Sequence, residues 1–85
     1  MPTRPEQNDP ARVAAWQKVR RAVGSRIRAL RIERGMTQEA LALTSGVTRN
    51  ILIDVEHRRR GLLYERLFDI AEALGVPASD LLDQP

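Results

Sequence analysis

The 85-residue chain contains no cysteine, so neither a disulfide framework nor a thiolate metal site is open to it. Its only histidine, His57, has no second imidazole with which to complete a metal cluster. No apolar run approaches the ~20 residues that span a bilayer. The opening MPTRPEQNDPARV lacks the apolar core of a secretion signal. Strand-type alternation never lasts more than a few residues. No nucleophile lies beside a base, and no glycine-rich loop could cradle phosphate. These absences exclude catalytic residues, a metal, a cofactor and a membrane partner. They leave one small, soluble, intracellular, all-α domain expected in the cytoplasm.

What the chain does have is unevenly placed charge. The net value is only +3, yet thirteen of the fourteen basic residues are arginine. Arg12, Lys18, Arg20, Arg21, Arg26, Arg28, Arg31 and Arg34 face Glu33 alone within residues 12–34, a net +7. Within residues 61–85, Arg66 faces Glu65, Asp69, Glu72, Asp80 and Asp83, a net −4. One half suits a polyanion and the other turns away from it, unless these are simply solvated helix faces. Arginine favours bidentate contact with phosphate or guanine, although a GC-rich genome also enriches it.

Residues 1–9 read as a disordered polar tail. Asp9-Pro10 is a helix start, with a capping carboxylate and a proline at the first helical position. Val13, Trp16, Val19, Val23, Ile27 and Leu30 then step by three or four, a single helical stripe. Gly24-Ser25 interrupts it, so the segment is either one helix to Arg34 or two, with a break or bend near Gly24 preferred. Trp16 reads as a packing residue, within the domain or at a dimer contact, rather than a platform for a ligand.

Gly35 closes this segment and Thr37 caps a short helix from Gln38 to Thr44, with Ala40 and Leu41 inward. Ser45-Gly46 breaks the chain again. Thr48 caps a third helix to about His57, with Val47, Leu52 and Val55 toward the core and Arg49, Asn50, Ile53, Asp54 and His57 outward. Asp54 can pair with Arg58, four residues on. After the basic loop Arg58-Arg59-Arg60-Gly61, the positions Leu63, Leu67, Ile70, Ala71 and Leu74 mark a fourth helix ended by Gly75. Pro77 opens a fifth through Leu81 and Leu82. Two helices joined by a glycine turn, the second polar outside, are the plan of a helix-turn-helix.

The run from Ile27 to Leu82 also resembles the phage repressor and Cro-type helix-turn-helix family, called Xre. The likeness rests on IRALRIERGMTQEALA, the turn SGVTRN, Val55-Glu56 and LFDIAEALGVPASDLL. The LALTSG and IDVE segments are similar to controller proteins of restriction–modification systems. The resemblance implies a five-helix, lambda-repressor-like domain over residues 24–85, with residues 10–23 as an N-terminal helical extension. It implies a transcription regulator that binds double-stranded DNA, usually as a homodimer on a two-fold operator, with helix 48–57 in the major groove. By position, Arg49 and Asn50 would read bases. Gln38 and Thr48 would contact phosphate at helix starts. Arg31 and Glu56 would form an internal salt bridge, so Arg31 is not counted as a DNA contact.

The chain departs from the family pattern in two places. Ile51 and Ile53 stand where small polar residues are usual. Ile53 would touch a thymine methyl, or another protein surface. Asp54 would accept from cytosine N4 or repel phosphate and enforce register. In the loop, Arg58 replaces a usual glycine and Leu62 a frequent proline. Arg58, Arg59 and Arg60 would grip phosphate beside the recognition helix, the alternative being a solvated loop. Leu62, Leu63 and Tyr64, with Trp16, form a candidate dimer or partner patch. An alternative function is a protein-interaction module of the same fold, antitoxin-like or anti-regulator. With no second domain in view, a small-molecule ligand is not expected, and control would fall to protein concentration or a partner.

Overall fold

The computed structural model describes residues 9–82. The expected tail therefore lies outside the described residues except for Asp9. Five helices follow one another: α1 (Pro10–Glu33), α2 (Gln38–Ser45), α3 (Arg49–Glu56), α4 (Tyr64–Leu74) and α5 (Ala78–Leu82). No strand occurs among the described residues, so the architecture is all-α.

The helix starts obey local chemistry. Asp9 Oδ1 accepts from the Ala11 N–H at 3.0 Å, with Pro10 at the first position. Thr37 Oγ1 accepts from Ala40 N at 2.9 Å, and Thr48 Oγ1 from Ile51 N at 3.3 Å. Each such cap is worth about 1 kcal/mol. Leu63 precedes α4 without a side-chain cap. It is 71% exposed, so of the positions that marked this helix it alone lies at the surface. The helix begins one residue later, and Leu63 stands outside the first turn.

α1 runs unbroken through Gly24, against the expected break. Gly24 serves a distant contact. A Cβ there would overlap the Val55 carbonyl oxygen, so the missing side chain lets α1 lie directly on α3. The helix continues through this position, so tertiary packing outweighs the propensity cost of about 1 kcal/mol.

The core is built from Ile27 and Leu30 of α1, Leu41 of α2, Leu52 and Val55 of α3, Ile70 and Leu74 of α4, and Leu81 of α5, with Val47 from the turn. The C-terminal half of α1 packs on α3, α4 and α5, and α2 packs on α3 and α4. The stripe that began at Val13 does not stay buried. Trp16 is 41% and Val19 43% exposed, because the first half of α1 projects past the other helices.

Candidate nucleic-acid interface

α2 and α3 are joined by Gly46, Val47 and Thr48. Gly46 sits at φ 77°, the left-handed conformation that a Cβ disfavours, and its N–H closes α2 on Ala42 O at 2.9 Å. Val47 then drops into the core, and Ser45 Oγ accepts from its N–H at 3.2 Å. The turn thereby fixes α3 with Leu52 and Val55 down. Arg49 and Asn50 are exposed in its first turn, and neither side chain has a hydrogen bond among the described residues. Ile53 and Asp54 follow on the same side, half-buried. Ile51 instead packs against the core, so only one of the two unusual isoleucines faces outward.

Behind α3 lies a polar cluster. Arg31 holds Glu56 through two parallel bonds, Nε to Oε2 at 2.8 Å and Nη2 to Oε1 at 2.9 Å. Its third donor, Nη1, reaches the Met36 carbonyl at 2.8 Å. The pair is enclosed, with side-chain exposures of 12% and 2%. The bond to Glu56 raises the Arg31 pKa, against the opposing effect of burial. Gln38 Nε2 donates to Glu56 Oε1 at 3.2 Å, so the amide expected on phosphate already has a protein partner. Its second N–H has no partner among the described residues. The cluster therefore couples the start of α2 to the last turn of α3 through α1.

The loop after α3 does not act as one basic grip. Arg58 adopts φ 66°, the only positive φ outside glycine among the described residues. Its N–H bonds to Val55 O at 3.0 Å and the Arg59 N–H to Asp54 O at 2.8 Å, the two bonds of a Schellman closure. The chain turns away at Arg58, so Asp54 meets Arg59 at 3.6 Å rather than Arg58. The three arginines diverge. Arg58 borders a depression of about 650 Å³ with Arg28, Thr37, Gln38 and His57. Arg60 instead borders a groove of about 520 Å³ on the far side, with Trp16, Arg20 and Leu62. His57 donates from Nδ1 to Ile53 O at 2.8 Å, leaving Nε2 outward at the end of α3.

Arg28 escaped sequence reasoning as a site residue. The signal was present: it lies one turn before Arg31, on the face that meets α2 and α3. The proposed patch also divides. Leu62 is half-buried beside Trp16, whereas Leu63 and Tyr64 stand in solvent away from that groove.

A family model described as a helix-turn-helix domain matches residues 24–85. The chain belongs to the Xre-type helix-turn-helix family of DNA-binding transcription regulators. It is 38% identical over 64 residues to the uncharacterized HTH-type transcriptional regulator y4dJ of Sinorhizobium fredii, covering 75% of this chain and 83% of that protein. It is 33% identical over 66 residues to the control protein C.BamHI of Bacillus amyloliquefaciens, covering 76% and 82%. Among solved structures, the restriction-modification controller protein C.AhdI of Aeromonas hydrophila superposes with a TM-score of 0.71 at 32% identity, covering 73% and 94%.

As an Xre-type regulator, the chain is not an enzyme. No helix among the described residues is long and apolar enough to cross a membrane.

Proposed function

We propose that this regulator binds a two-fold DNA operator as a homodimer, with α3 of each copy in the major groove. The observation that carries the reading is the placement of Arg49 and Asn50. Both stand exposed at the start of α3, opposite Leu52 and Val55, free of competing bonds among the described residues. Arg49 pairs with guanine O6 and N7, and Asn50 with adenine N6 and N7. Ile53 meets a thymine methyl. Asp54 accepts from cytosine N4 with the oxygen that Arg59 leaves open.

Phosphates are held around this helix. Thr48 donates its hydroxyl proton while its oxygen caps α3. Gln38 uses its remaining N–H at the start of α2, beside Arg28 and Arg58. Arg59 extends the contacts along the backbone, whereas Arg60 borders the groove on the far side and takes no part in them. One such module reads few base pairs, so specificity needs two half-sites about one helical turn (~34 Å) apart. Such a protein works in the cytoplasm, where the DNA is.

The test is Arg49→Ala, titrated against an operator and its single-base variants. The expected cost is ~1–3 kcal/mol, with discrimination lost at one position of each half-site. Equal weakening on every sequence would refute base reading by Arg49.

A further inference from the structure

The first half of α1 lies ahead of the segment that defines the family. The helix starts at Pro10, whereas the family match starts at residue 24. This arm carries a continuous outward stripe of Arg12, Trp16, Val19 and Arg20, spaced four, three and one residues apart. The Arg12 guanidinium lies 6.0 Å from the centre of the Trp16 ring. Below the stripe is the 520 Å³ groove, floored by Val23, Val55, Leu67 and Leu82 and edged by Arg20 and Arg60. The groove is therefore apolar at its base and basic at its rim.

α4 carries the opposite pattern. Tyr64, Phe68 and Glu72 follow one another at intervals of four, with Glu65 alongside. Phe68 is 58% and Tyr64 70% exposed. Arg66 pairs with Asp69 at 3.2 Å, while Glu65 and Glu72 have no ion-pair partner among the described residues. This face is apolar and acidic. α4 contributes to both surfaces, with Leu67 in the groove and Phe68, the next residue, on the exposed face.

We infer that the groove beneath the Trp16 arm receives Phe68 and Tyr64 of a second copy, with Glu65 and Glu72 of that copy facing Arg12, Arg20 and Arg60. Each copy carries both the groove and the acidic face. A two-fold axis satisfies both at once, which closes the assembly as a dimer. Charge complementarity selects this pairing over arm against arm, where Arg12, Lys18, Arg20 and Arg21 would meet their own images. The surface also leaves DNA binding free, since Val55 touches the groove from the side of α3 opposite Arg49 and Asn50. The inference rests on the homodimer reading above and supplies its interface.

The experiment is sedimentation equilibrium of the full chain with and without substitutions in exposed positions. Wild type is expected to be dimeric at tens of micromolar, and Phe68→Glu and Trp16→Ala each to raise the dimer dissociation constant at least about tenfold. Arg20→Glu and Glu72→Arg should each weaken the dimer, and the double variant should recover much of the loss. Circular dichroism controls for folding. A wild-type monomer, or a dimer indifferent to Phe68→Glu and Trp16→Ala, overturns the inference. DNA selection on the same proteins separates the two readings: a sound dimer that selects no sequence defeats operator binding and leaves the interface standing.

Discussion

Arg58→Gly separates what the loop does for the fold from what it does for DNA. Arg58 closes α3 at φ 66°. An L-residue in that conformation costs roughly 1–2 kcal/mol. Glycine removes this strain but gives the unfolded chain more freedom, an offset of roughly 0.4–1 kcal/mol. The net gain is about 0.5–1 kcal/mol. For a domain of this size that raises the melting temperature by about 2–8 °C. The same change deletes a guanidinium at the depression where phosphate is proposed to sit, so the slope of log affinity against log salt should fall by about 0.9. Arg58→Ala is the control: it loses the same charge but keeps a Cβ in the left-handed conformation. Thermal melts and salt-dependent DNA titrations on both variants decide the matter. Both variants should lose salt slope equally, and the glycine variant alone should melt at a higher temperature. Equal melting temperatures for Gly and Ala would refute the strain, and an unchanged salt slope would remove Arg58 from the interface.

Two further substitutions probe the frame that holds α3. Arg31→Ala leaves Glu56 enclosed and without its counter-charge, so it should destabilise the domain by ~3–5 kcal/mol in urea unfolding. A loss below about 1 kcal/mol, the level of an exposed pair, would show that the pair is solvated. Gly24→Ala gains helix propensity but drives a methyl into the Val55 carbonyl. A net loss of about 1–3 kcal/mol by the same measurement is expected, and a stabilised variant would show that α1 and α3 do not approach this closely.

Most of the fold was legible because its signals are local. Asp9, Thr37 and Thr48 cap within two or three residues of themselves, and Gly35, Gly46 and Gly75 close helices where they stand. The core positions from Val23 to Leu81 follow helical periodicity, so burial could be read one helix at a time. What escaped depends on distant partners. Gly24 looks like a helix breaker until Val55 is brought against it. Arg31 and Glu56 are 25 residues apart, and only the family resemblance paired them. Three consecutive arginines look equivalent in sequence, but the left-handed turn at Arg58 sends them to different faces. Phe68 gave no sequence signal for its proposed interface role because its neighbours Leu67 and Ile70 explain the helix without it.

The central claim is that two copies of α3 read a symmetric operator. Selection of bound DNA from a random pool tests it most directly. The expected product is an inverted repeat whose half-sites lie about one helical turn apart, bound with an affinity that falls steeply with salt. A pool that enriches no sequence, or one asymmetric site with a flat salt response, would contradict it.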